Sequence, residues 1–175
     1  EAASGPTVKV YPGTSADADA VARWERQHSC ALPDDFREYL VRVGRCKIHG
    51  ANPTMDYDFA VKVFCLAELM PFCRLAYGKE AVAGVPQSWL AIADANDGNY
   101  IVMDLDTVKG TYARIIDGYA MVAPDCFIIA LSFTEFLECS LDDPDTSSGG
   151  GDVGNQKPKT RNRSLAVLRL SASPW

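Results

Sequence analysis

The chain has 175 residues and a mass of 19.0 kDa, a length that suits one domain and scarcely allows two. Hydrophobic residues make up 47% and charged residues 23%, so the chain belongs to the soluble globular class, and its 10 prolines and 13 glycines are too few for a collagen or a wholly disordered chain. The net charge of −6 argues against general nucleic-acid binding, which needs clustered Lys and Arg.

The charge is uneven. Residues 1–141 hold 12 bases and 19 acids, a net of −7. Residues 142–175 hold four acids and five bases, among them Lys157, Lys159, Arg161 and Arg163. An acidic body thus carries a locally basic tail. Six cysteines (Cys30, Cys46, Cys65, Cys73, Cys126, Cys139) form no CxxC pair and several have apolar neighbours. They read as free, mostly buried thiols in a reducing compartment. The longest apolar stretches, such as 126–131, are far too short to span a bilayer. The first residues lack the basic start and apolar run of a secretory leader, so the expected location is cytoplasmic.

In chain order, Val8 to Tyr11 reads as a short strand stopped by Pro12-Gly13. Ser15 is the expected N-cap of a first helix, with Asp17 and Asp19 in its first turn. That helix runs to about His28 and places Val21, Trp24 and His28 on one face. Leu32-Pro33-Asp34-Asp35 opens a second helix. Phe36, Tyr39, Leu40 and Val43 form its core stripe, and Gly44 ends it. Strands come next at Cys46 to Ile48 and Phe59 to Cys65, with residues 50–57 as a loop between them. Leu66 to Leu75 reads as a helical turn broken by Pro71. Trp89 to Ala93 and Tyr100 to Leu105 form a hairpin around the turn residues Asp94 to Asn99. A further strand is expected at Thr111 to Ile116, and Cys126 to Leu131 is ambiguous in type. Ser132 to Glu135 is a capping box for a last helix with Phe133, Phe136, Leu137 and Leu141 on its buried face. The organisation expected is a domain over 1–141, then 142–175 as a flexible acidic and Gly-rich linker with a basic tail that could end in a docked strand at Leu165 to Leu170. The fold class is α+β, helices first, then an antiparallel meander and a closing helix.

Recognised catalytic signatures are absent: no GxxxxGK[ST], no GxGxxG after a strand and no GxSxG. Two Cys–His pairs are available, Cys46 with His49 and His28 with Cys30. Nucleophilic catalysis would need the fold to bring base and thiol together, and a zinc site from the same four residues has irregular spacing. Asp94 to Asn99 resembles a calcium loop, but its fifth and sixth positions are Gly98 and Asn99 and its twelfth is Leu105, so the pattern fails. A hairpin turn explains it. No cofactor and no metal are expected.

Three motifs in order bring a family to mind: Leu32-Pro33-Asp34-Asp35-Phe36 with Tyr39-Leu40 and Gly44; Ile92-Ala93-Asp94, Gly98-Asn99-Tyr100, Val102 to Leu105 and Gly110-Thr111-Tyr112; and Ser132 to Glu138. Together they resemble the SUKH superfamily, the Smi/Knr-like domains, over about residues 20–141. The second helix departs from the family pattern, ending in Val43-Gly44-Arg45 rather than Asn-Gly. Trp24-Glu25, Cys30, Pro33 and Asp35 are also spaced as in the non-catalytic second subunit of the tubulin polyglutamylase complex, a member of that superfamily. The resemblance implies one mainly antiparallel sheet flanked by helices and a non-catalytic protein-binding module. Such a module acts as an accessory or scaffold subunit. The alternative within the fold is an immunity protein that blocks a bacterial toxin, and the alternative outside it is a thiol- or metal-dependent enzyme. The expected contact surface joins Arg45, His49, Asp56 and Tyr57 to the acidic turn Asp94, Asn96 and Asp97. The partner is another protein, not a membrane and not nucleic acid.

Overall fold

The computed structural model describes residues 7–51, 58–95, 98–118 and 128–142. Among the described residues eight strands make one sheet, each pairing antiparallel. They are β1 (Thr7–Pro12), β2 (Cys46–Ala51), β3 (Asp58–Val63), β4 (Met70–Pro71), β5 (Trp89–Asp94), β6 (Tyr100–Asp104), β7 (Ile115–Gly118) and β8 (Ile128–Ala130). The order across the sheet is β1-β2-β3-β5-β6-β7-β8, with the two-residue β4 added to β5. Four helices among the described residues accompany it: α1 (Ala18–His28), α2 (Asp34–Arg42), α3 (Phe72–Tyr77) and α4 (Phe133–Asp142). The fold is α+β with a single antiparallel sheet, as expected from the sequence.

The main core lies between one face of the sheet and α1, α2 and α4. Val21, Phe36, Leu40, Ile48, Val61, Ile92, Ile101, Met103, Ile115, Phe133 and Phe136 meet there. Phe133 is the aromatic hub, with ring centroids 4.7 Å from Phe36 and 4.9 Å from Tyr39. A second cluster sits on the reverse face. Phe72 and Cys73 of α3 cover Trp89, Val102 and Ile116 with Val85. Strands β5, β6 and β7 are therefore buried on both faces; β2 and β3 send Cys46, Ile48, Val61 and Val63 into the core, and Lys9, Val10, Tyr11 and Pro12 of β1 are exposed.

Several local expectations change. The N-cap of α1 is Asp17, not Ser15: the Asp17 carboxylate accepts the Ala20 amide. His28 leaves the core stripe and stacks outside on Trp24, with centroids 4.1 Å apart. α2 has Val43 at its cap position, and Gly44 comes next in the left-handed region at φ +71. A Cβ there would run into the Thr14 carbonyl and stand 2.5 Å from the Ser15 Cα, so the position requires glycine. β2 continues through Gly50 to Ala51 instead of stopping at Ile48. The stretch 66–75 is a 3-10 turn (Leu66–Glu68), then β4, then α3, which starts directly after Pro71. Pro71 serves as the N-cap of α3, a place where its missing N–H costs nothing.

The strand expected at 111–116 begins only at Ile115. Asp104 explains the delay. Its carboxylate accepts from the Ser88 hydroxyl (2.8 Å), the Thr111 hydroxyl (2.7 Å) and the Asp106 amide (3.0 Å), and its carbonyl accepts the Ala113 amide. These bonds hold 105–114 as a turn. At α4, the Ser132 hydroxyl accepts the Glu135 amide, and Glu135 reaches back to the amide of Leu131. Asp35 ties α2 to α4 by accepting from the amide and hydroxyl of Thr134. The linker and tail expected at 142–175 lie outside the described residues beyond Asp142.

Candidate functional site

A groove of about 400 Å³ runs between α1 and the 3-10 turn. Ala16, Ala20 and Trp24 form one apolar wall, with Arg23 and Gln27 alongside; Cys65, Leu66 and Ala67 form the other. Helical spacing places Ala20 and Trp24 on one face. The turn that carries the second wall is fixed by Glu68, three residues after Cys65. This is a capping box in which the Cys65 sulfur takes the place of a serine hydroxyl.

Glu68 is also the hub of a charge cluster at the groove's end. Arg45 grips its carboxylate with two nitrogens, Nε at 3.0 Å and Nη2 at 2.8 Å. Lys62 Nζ donates at 2.8 Å and the Cys65 amide at 3.0 Å. Burial by itself would raise the Glu68 carboxyl; the hydrogen bonds from Lys62, the Cys65 amide and Arg45 outweigh it and bring it down to about 2. Arg45 also donates to the Cys65 sulfur at 3.8 Å. Below the corner, the Tyr39 hydroxyl faces the Cys46 and Cys65 thiols. It makes no hydrogen bond of good geometry, and burial first, then those thiols, push its ionisation far up.

Of the contact residues expected from sequence, Arg45, His49 and Asp94 are described; Asp56, Tyr57, Asn96 and Asp97 lie outside the described residues. Arg45 reaches the groove through Glu68 and Cys65. His49 and Asp94 stand on the reverse face of the sheet, where Asp94 is the register partner of Lys62. Arg45 precedes β2 at the end where Cys46 pairs with Val63. The connection carrying Asp56 and Tyr57 leaves β2 at Ala51, about 20 Å away at roughly 3.3 Å per residue. Sequence reasoning missed Lys62 and Glu68. Lys62 carried no local signal, whereas Glu68 was readable from its capping-box spacing to Cys65.

The two Cys–His pairs do not form. Cys46 is buried in the core, and His49, three residues along the same strand, points to the opposite face. The His28 ring lies on Trp24 with its Nδ1 2.8 Å from the Trp24 carbonyl. Burial, then Glu25, raises the Cys30 thiol, the reverse of what a nucleophile needs. None of the five cysteines among the described residues is in a disulfide. Of these, Cys46 and Cys73 are buried, Cys30 and Cys65 half-buried and Cys139 exposed. No group of three His, Cys, Asp or Glu side chains among the described residues could hold a metal ion, and no described helix is long and apolar enough to cross a membrane.

No curated protein and no solved structure matches the chain. A family profile does match residues 15–139. That span takes in α1, the groove, the Glu68 cluster and α4. The chain belongs to the SMI1/KNR4 family (SUKH-1).

Proposed function

We propose that this domain is a non-catalytic protein-binding module, an accessory or scaffold subunit of a larger assembly that works in the cytoplasm. One observation carries the reading. The groove between α1 and the 3-10 turn has an apolar lining with Arg23 and Gln27 beside it, and the Glu68 that follows its second wall is held by Arg45 and Lys62, an apolar centre with charge next to it as in a protein interface. Arg45 belongs to this contact set. His49, Asp56, Tyr57, Asp94, Asn96 and Asp97 are further members of the proposed contact set.

The test is affinity purification of the chain from its native cell, beside the variant Ala67→Arg. Ala67 is exposed on the groove wall, so the substitution fills the groove without entering the core. The expected result is a stoichiometric protein partner that the variant loses. A partner retained by the variant removes the groove from the reading, and the absence of any specific partner removes the reading itself.

A second reading has its own observation. α4 exposes Glu135 and Glu138 and carries no base in its last turn, and the net −7 of residues 1–141 suits the covering of a basic cleft in a toxin. A toxin gene beside this one supports the immunity role; a spliced gene without such a neighbour removes it.

A further inference from the structure

Successive side chains of β1, β2 and β3 stand on opposite faces of the sheet. Cys46, Ile48, Val61 and Val63 enter the core. The intervening residues stand on the reverse face in two rungs, Tyr11–Lys47–Lys62 and Lys9–His49–Ala60. Lys9, Tyr11 and Lys47 are exposed, so no described element covers them. Among the described residues neither Lys9 nor Lys47 has an ion-pair partner. Two lysines without such a partner, Lys9 and Lys47, thus stand together on a body whose net charge is −7, with Asp94 farther across the same face beside Lys62. β1 is also the sheet's edge. Among the described strands it pairs with β2 alone, so the peptide groups along its outer side have no strand partner, and Val10 and Tyr11 are 47% and 54% exposed.

We propose that β1 and this face take an extended acidic segment of a partner protein, added to the sheet as a further strand. Strand addition gains affinity from main-chain hydrogen bonds and specificity from alternate side chains. In a strand beside β1, every second side chain stands on the reverse face next to Lys9 and Tyr11, and the others stand beside Val10. The ligand is therefore a peptide with carboxylates at alternate positions and apolar residues between them. Strands lie about 4.8 Å apart, so Lys47 stands about 10 Å from the new strand, within reach of a glutamate and a lysine extended toward each other. Two features favour a peptide over a nucleic acid. Only a peptide can use the edge amides and carbonyls, and the acidic body repels a long polyanion. The inference rests on the reading of the chain as a binding module, but it uses a surface separate from the groove.

The probe is a short fluorescein-labelled peptide of alternating Glu and Val, titrated with the full chain and followed by fluorescence anisotropy. Binding is expected, and it weakens as salt rises. The pair Lys9→Glu/Lys47→Glu should weaken it about tenfold or more, while Lys79→Glu/Lys109→Glu, the same change in net charge elsewhere, should leave it within about twofold. A peptide N-methylated at alternate amides should lose binding. Circular dichroism checks that the variants fold, and the milder pair Lys9→Gln/Lys47→Gln should show a smaller loss in the same direction. Absence of binding, equal loss in both charge-reversed pairs, or equal binding of the N-methylated peptide overturns the proposal. So does an oligodeoxythymidine of matched charge that binds as tightly and competes, which would assign the face to nucleic acid. Failure here beside a partner still lost by Ala67→Arg leaves the groove reading intact.

Discussion

The two halves of the sheet solve different problems. β5, β6 and β7 are sealed on both faces, by α1, α2 and α4 on one and by α3 on the other. Their sequences show it: Trp89-Leu90-Ala91-Ile92-Ala93 and Ile101-Val102-Met103 are nearly unbroken apolar runs, the pattern of a strand with no solvent side. β2 and β3 set Lys47 and Lys62 between core residues, and Lys9, Val10, Tyr11 and Pro12 of β1 are exposed. The first half is where stability resides. The second gives up a face of burial and keeps it available for contact. The lesson is that the choice between continuous and alternating patterning within one sheet marks which part of it can meet another molecule.

The contrast breaks hardest at Phe72. This ring is fully buried, 5.9 Å from Trp89 between centroids, and is the main cover of the doubly sealed half. Phe72→Ala should cost about 3–5 kcal/mol in urea unfolding. A smaller loss would mean that α3 is a lid and not a core layer. Next comes Gly118, at the point where β7 meets β6 under the same ring. A Cβ there would stand 2.6 Å from Val102 Cγ2, 2.7 Å from the Tyr100 carbonyl and 3.0 Å from Phe72. Gly118→Ala should cost about 1–3 kcal/mol by overpacking, read from the same melts.

At the join of the two halves, Glu68→Gln should cost about 1 kcal/mol at neutral pH, a value discounted because the cluster is open to solvent. Its sign with pH is fixed. The carboxyl sits near 2 when folded, against an ordinary 4.5. Its stabilisation is therefore complete above about pH 4.5 and fades as pH falls toward 2. The gap between wild type and Glu68→Gln should close across that window, and a gap independent of pH would remove the charge cluster as its cause. The smallest effect belongs to the open half. Lys47→Ala should change stability by no more than about 0.5 kcal/mol, and a larger loss would show that Lys47 has a structural partner.

The parts of the fold that depend on neighbours in sequence were legible in it. The stripe Phe36, Tyr39, Leu40 set α2, the turn residues after Asp94 set the β5–β6 hairpin, and Ser132 with Glu135 set the start of α4. The shifts arose where distant groups intervene. Asp104 delays β7 by holding Thr111 and Ala113. Pro71 reads as a breaker when taken by itself, because a proline stops a helix behind it and starts one ahead of it, and only the folded chain places α3 directly after it. The candidate site was legible in part for the same reason. Arg45 was visible as an exposed base after a helix end, but the carboxylate it grips is 23 positions away, and nothing near Arg45 announces it. The alternation of Lys9 with Tyr11 and of Lys47 with His49 was on the surface of the sequence; that the two rows share a face comes only from the register of β1 on β2.

The unequal edges of the sheet limit how copies of this chain can associate with one another. Among the described strands the edges are β1, with six residues, and β8, with three. A filament grown edge to edge needs two edges of matching length at opposite ends of the sheet, and the described strands supply a long edge and a stub. Two copies joined β1 to β1 about a two-fold axis use up the long edge on both, and the assembly closes. At high concentration the chain is thus geometrically biased toward pairs rather than fibres, and an acidic strand seated on β1 would block even the pair.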